Sequence, residues 1–106
     1  MKKLSVVFTL ALFLLTMTAM AGEWTGHISD SKCGAAHNDG SEKSIGCVKG
    51  CVKGGSAPVF VTADKKVLKI DEESRAKVMD HLGHKVTVTG SVDDGTLTIE
   101  SIKMAD

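Results

Sequence analysis

Three cysteines and one histidine fall together in a single segment of the chain, with the formula C-x3-H-x9-C-x3-C. The four residues are Cys33, His37, Cys47 and Cys51. Three thiolates and one imidazole form a known closed ligand set for zinc. Thiolate-rich sites also suit Cu(I). The residue types and their spacing therefore predict a metal site, for zinc or copper, that is built from these four side chains.

The odd number of cysteines leaves two other interpretations open. In one, Cys33 forms a disulfide with Cys47 or Cys51, closing a loop of about 14–18 residues and contributing about 3 kcal/mol to stability. One thiol is then left over, and the protein is a structural or interaction module. In the other, the leftover thiol does redox work or pairs between chains. A bridge between Cys47 and Cys51 is disfavoured, because side chains one helical turn apart run parallel to each other.

The last two cysteines are expected to lie on a helix. The tetrapeptide Cys-Val-Lys-Gly occurs twice in tandem from Cys47 to Gly54. A short helix over residues 45–53 would place Cys47 and Cys51 on the same face. Its two internal glycines weaken it by about 1 kcal/mol each relative to alanine. Such a helix therefore needs a tether, which the cysteines can provide.

Other polar residues near the cluster are predicted to have supporting roles. Asp30 and Ser31, just before the first cysteine, are expected to cap a turn or to accept hydrogen bonds beside the site. His27 is placed on the outward face of a strand. His81 and His84 flank the C-terminus of a predicted helix, where a partial positive charge is favourable.

The sequence contains none of the usual catalytic arrangements. It has no nucleophile–base–orienter set, no Gly-rich phosphate loop and no paired catalytic carboxylates. Aromatic residues make up only 4% of the chain, with no Tyr. Trp24 and Phe60 are expected in the core, so the usual stacking surface for single-stranded nucleic acid is missing. A binding or structural protein is therefore favoured over an enzyme.

The first 21 residues are typical of a cleavable signal peptide. Lys2 and Lys3 precede an uncharged apolar run over residues 4–20, which ends in the small-x-small pattern Ala19-Met20-Ala21. The run is at the short limit for a membrane span. We expect cleavage after Ala21 and a secreted or periplasmic protein that no longer contacts a membrane.

Cleavage would change the net charge of the chain, and export would place its cysteines in an oxidising compartment. Removing two lysines leaves 11 basic residues against 13 acidic ones, a net charge of −2. This argues against nucleic acid as a partner and leaves a metal ion or small ligand. An oxidising compartment favours disulfides, so three cysteines need an explanation there. The oligomeric state is not predicted.

Period-two alternation of apolar residues predicts a mainly β fold with one helix. The predicted elements are a strand over 22–30, a hairpin over 58–70, a helix over 72–82, and a second hairpin that turns at Asp93-Asp94-Gly95. Gly26, in the middle of the first strand, predicts a sharp bend or a close backbone approach. Ile102 is out of phase with its strand, which predicts a bulge or twist near Ser101.

This order of elements matches a five-stranded OB-fold-like barrel, in which the helix lies between the third and fourth strands. Residues 22–106 then form one domain. A cysteine-rich insert over residues 31–57 joins strands one and two, in a loop that OB-folds commonly use to hold ligands. An open α+β sheet with the helix on one face is the alternative.

Two segments carry a family resemblance. They are residues 28–37, with the later cysteines and Val52-Lys53-Gly54-Gly55, and residues 83–90 with the closing strand. Together they resemble a group of small secreted bacterial proteins of OB-like build and largely unknown function. The pattern Asp-Ser-x-Cys-Gly-x-x-His with two later cysteines is typical of that group. The resemblance implies that these residues act as one unit, and it implies no particular function.

Overall fold

The computed structural model describes residues 20–36 and 39–105. Most of the predicted signal peptide, up to residue 19, lies outside these residues, and so does His37. The predicted cleavage point after Ala21 falls near the start of the first strand. No helix within the described ranges is long and apolar enough to span a bilayer.

Five strands and two α-helices make up the described part of the chain. The strands are β1 (Met20–Asp30), β2 (Pro58–Thr62), β3 (Val67–Ile70), β4 (Lys85–Asp93) and β5 (Thr96–Met104). The helices are α1 (Glu42–Lys53) and α2 (Arg75–Val78). The mainly β character and the five strands are confirmed. The barrel pattern alone predicts one helix, and the second, α1, is the cysteine-bearing helix expected over residues 45–53 in the segment that joins β1 to β2.

The strands pair in the order β1-β2-β3-β5-β4, and β4 returns to β1, so that the sheet closes as a barrel. Among the strands of residues 20–36 and 39–105, β3 and β5 are the one pair that runs parallel. The long β1 makes closure possible, because its first part pairs with β4 and its last part with β2. Gly26 pairs with both neighbours. A Cβ there would stand 2.1 Å from the Val61 carbonyl oxygen, which confirms the predicted close approach.

The core fills the space enclosed by the strands. Its buried members are Ile28, Val48, Phe60, Ile70, Val78, Leu82, Val86, Val88, Leu97 and Ile99. Val48 belongs to α1, so the segment between β1 and β2 contributes to the core. Burial removes this apolar surface from water at about 25 cal/mol per Å², which is the main stabilising contribution to a domain of this size. The segment is therefore packed against the sheet.

In the second half of the chain, the hairpin turn at Asp93-Asp94-Gly95 matches the prediction, whereas the helix predicted over 72–82 does not. Asp94 and Gly95 both have positive φ, as a type I′ hairpin turn requires. The pairing register shifts opposite Glu100, which confirms the bulge expected near Ser101. The predicted helix over 72–82 is broken, with 3-10 turns on both sides of α2. Within the first of these turns, the buried Ser74 hydroxyl accepts the Ile99 N–H (2.8 Å) and ties the turn to β5.

Candidate metal site: a cluster of three cysteines

The three cysteines converge in the structure. The Sγ atoms of Cys33, Cys47 and Cys51 all lie within 4.8 Å of one another, and each side chain is partly buried. None of them forms a disulfide. The predicted bridge from Cys33 to Cys47 or Cys51 is therefore not formed. The structural reason is that the three sulfurs meet as a group instead of as one pair with an isolated third thiol.

A hydrogen-bonded turn after β1 positions Cys33. The Asp30 carboxylate accepts the N–H groups of Lys32 and Cys33, each at 3.0 Å, through its Oδ2 atom. The Ser29 hydroxyl donates to the Gly34 carbonyl at 2.6 Å, and Gly34 has a φ of +56°. The predicted capping role of Asp30 is thus confirmed. Ser29 is fully buried where its hydroxyl closes this turn.

Helix α1 carries the other two cysteines. The helix begins earlier than the sequence predicts, because Ser41 caps it by accepting the Ser44 N–H at 3.2 Å. Cys47 and Cys51 lie one turn apart, as predicted. At the other end, the Ser56 N–H donates to the Cys51 carbonyl at 3.0 Å. The capping at both ends compensates for the two glycines inside the helix.

Packing against the barrel fixes α1 in place. Val48, between the two cysteines, is 0% exposed and belongs to the core. On the neighbouring turn, Ile45 lies so close to Gly83 that a Cβ on Gly83 would stand 2.5 Å from the Ile45 Cα. Gly83 also has a φ of +81°, so both its conformation and its contact require glycine. The helix therefore presents its cysteines from a docked position.

Hydrogen bonds join the two ends of the segment between β1 and β2. The Ser31 N–H donates to the Ala57 carbonyl at 2.8 Å, and the Ala57 N–H donates to the Ser31 hydroxyl at 3.3 Å. These bonds hold the turn that carries Cys33 beside the chain that follows α1. The cluster is therefore assembled by backbone and side-chain hydrogen bonds that do not involve the sulfurs.

The surroundings of Cys33 and Cys51 raise the pKa of both thiols and so favour their protonated forms. Burial, the charge of Asp30, and the neighbouring Cys47 and Cys51 raise the pKa of Cys33 to about 11. Burial and then the charge of Asp30 also raise the pKa of Cys51. A nucleophilic or redox-active thiol needs the opposite shift. A cation bound among the sulfurs would compensate the negative charge and release the protons.

Asp30 itself is fully buried, at 0% exposure. Its Oδ2 atom holds the turn, while Oδ1 has no hydrogen-bond partner within the described residues. A buried carboxylate oxygen without a partner is uncommon in folded proteins, because desolvating it costs several kcal/mol. The sequence predicted Asp30 as a turn cap, and no sequence signal could show that one of its oxygens would stay unpaired.

The histidines do not join the described cluster. His37, the predicted fourth ligand, lies outside the described residues, so its role stays a prediction. His27 is partly buried and lines a cleft of about 620 Å³ together with Asp39 and Lys85. Burial and the charge of Lys85 lower the pKa of His27, and Asp39 opposes this shift.

His81 ends the 3-10 turn Met79–His81 and lies near His84, with the two ring centroids 6.1 Å apart. The His81 Nδ1 atom is 3.3 Å from the Met104 Sδ atom. The cluster of metal-ligating groups found among the described residues consists of the three cysteines alone. Neither His81 nor His84 belongs to this cluster.

The geometry of the sulfurs suits metal coordination. Zinc–sulfur bonds of about 2.3 Å in a tetrahedral site place the sulfurs about 3.8 Å apart. The sulfurs of this cluster already lie within 4.8 Å of one another. A bound ion therefore requires only a small contraction of a cluster that the fold has assembled.

Comparisons of the chain with protein families, with curated proteins and with solved structures each found no match. The resemblance to small secreted bacterial proteins stays a prediction. The case for a function therefore rests on the cysteine cluster and its surroundings.

Proposed function

We propose that this protein binds a thiophilic metal ion, zinc or copper, through Cys33, Cys47 and Cys51. The observation that carries the proposal is the convergence of the three sulfurs within 4.8 Å of one another. Two separately fixed elements, the turn after β1 and helix α1, bring them together. Ligands that the fold holds in place lose less conformational entropy when a metal binds.

The proposal extends to the fold and the location of the protein. A closed five-stranded sheet with the cluster between β1 and β2 supports an OB-fold-like domain, in which this connection is a common ligand-binding loop. The signal-peptide pattern supports export to the periplasm or the exterior. After cleavage at Ala21, residues 22–30 would still pair with β4 and β2.

Metal titration of the reduced, metal-free protein tests the proposal. We expect one zinc or cuprous ion per chain, measured by competition with a chromophoric chelator. Replacing any one of the three cysteines by serine should weaken binding at least about a hundredfold, because a hydroxyl is a far poorer ligand for these ions than a thiolate. The K49A variant, on the same helix, serves as the control and should bind as the wild type does.

Two results would contradict the proposal. One is the absence of stoichiometric binding of either ion by the wild-type protein. The other is binding that all three cysteine-to-serine variants retain at wild-type strength. Serine substitutions should be accompanied by circular dichroism of the metal-free chains, so that loss of a ligand is distinguished from loss of the fold.

A further inference from the structure

The fully buried Asp30 is the least satisfied polar group beside the cysteine cluster. One of its two carboxylate oxygens, Oδ2, accepts the hydrogen bonds from both N–H groups of the turn. Oδ1 has no hydrogen-bond partner among the described residues. Holding the turn requires a single acceptor atom, so a neutral Asn would satisfy the same backbone groups. The negative charge is therefore not explained by the turn.

The position of Asp30 offers an explanation. Its Oδ2 atom accepts the Cys33 N–H at 3.0 Å, which places the carboxylate directly beside the first cysteine of the cluster. Its charge also acts on the thiols of Cys33 and Cys51. The same charge must act on a cation placed among the sulfurs, and with opposite sign.

We propose that Asp30 is a specificity-determining residue of the metal site, whose buried carboxylate biases the cysteine cluster toward a divalent ion such as Zn²⁺ and away from Cu⁺. This inference rests on the proposed function of the cluster. The three thiols release their protons to solvent as the ion enters. Three thiolates then hold the ion, and the Asp30 carboxylate lies beside Cys33.

One physical effect produces this bias. The Asp30 carboxylate adds a fourth negative charge beside the three thiolates, and a doubly charged ion balances this charge better than a singly charged one, because the attraction scales with the charge of the ion. The effect therefore acts on the ratio of the two affinities.

The D30N variant tests this inference, with the full chain titrated separately with Zn²⁺ and with Cu⁺. Asn keeps one oxygen as acceptor for the backbone N–H groups of the turn, replaces the other oxygen by an NH2 group and removes the charge. We expect zinc affinity to fall at least about tenfold, as is usual when a group that supports a metal site is lost, while Cu⁺ affinity changes by less than about threefold. The D94N variant removes the same charge from an exposed turn and should change neither affinity.

An equal fall in both affinities would assign Asp30 a merely structural role and overturn the inference. An unchanged zinc affinity would overturn it as well. If the metal-free D30N chain does not fold, D30S is the second variant, because a serine hydroxyl can cap the same turn without a charge. Failure of the proposed function is distinguishable, since the wild-type chain would then bind neither ion.

Discussion

Replacing Val48 by alanine tests whether helix α1 is docked as the structure places it. Val48 lies between the two cysteines of the helix and is 0% exposed. It contacts the core of the barrel, so it couples the cluster to the fold. Val52, one turn further along, is only partly buried against the same core. The V52A variant is therefore a matched control that makes the same chemical change in the same helix.

The expected magnitude follows from the burial of the side chain. The V48A substitution removes two methyl groups from a fully buried site, at about 0.8 kcal/mol each, and leaves a cavity. We expect a loss of about 2–3 kcal/mol in the free energy of unfolding, and about 1 kcal/mol or less for V52A. For a domain of this size, the larger loss corresponds to a decrease in Tm of about 8–24 °C. Alanine raises helix propensity equally in both variants, so the difference between them measures the packing.

Urea denaturation of the reduced, metal-free protein, followed by circular dichroism, provides the measurement. Removing the metal matters, because a bound ion would add its own stabilisation to both variants. A V48A chain that is no less stable than V52A would show that α1 is not packed on the barrel through Val48. The account of how Cys47 and Cys51 are positioned would then be wrong.

Three further predictions concern the backbone, the cleft and the thiols. In urea denaturation, G26A should lower the free energy of unfolding by at least about 3 kcal/mol or prevent folding, because its Cβ would meet the Val61 carbonyl. The G46A variant has open space around the new Cβ and should raise the free energy of unfolding by about 1 kcal/mol. A G26A chain as stable as the wild type would contradict the register of the barrel. The fold lowers the pKa of His27 from 6.5, so the stability of the protein should fall as the pH decreases below this value, and H27Q should lack that fall. Urea midpoints measured on both sides of pH 6.5 test this prediction. Identical pH profiles for the two proteins would contradict a partly buried His27. In the metal-free protein, thiolate ultraviolet absorbance should show Cys33 titrating at about 11, and titration of all three thiols at the ordinary value of 9.0 would contradict the described surroundings.

The sequence predicts most of the barrel, because apolar alternation and turn residues are local signals. The Asp93-Asp94-Gly95 turn and the close approach at Gly26 follow directly from residue type. The helix over 72–82 is predicted less well. Its apolar spacing is helical, but the buried Ser74 hydroxyl binds the Ile99 N–H of β5, and such a long-range contact leaves no trace in local periodicity.

The candidate site is partly predictable for the same reason. Cys47 and Cys51 share a helical face, which their spacing indicates. The approach of Cys33 depends on hydrogen bonds between Ser31 and Ala57, which lie at opposite ends of the connecting segment. The unpaired oxygen of Asp30 depends on burial by distant parts of the fold. Neither feature could be read from neighbouring residues.

The most direct test of the central claim is the metal content and thiol state of the protein after export, measured on the same native sample. Elemental analysis and native mass spectrometry would give the number of ions per chain, and alkylation under denaturing, chelating conditions would count the free thiols. Our account predicts one zinc or copper ion per chain and three thiols that become alkylated once the ion is removed. A chain without metal, in which two of the three cysteines are joined in a disulfide, would contradict it.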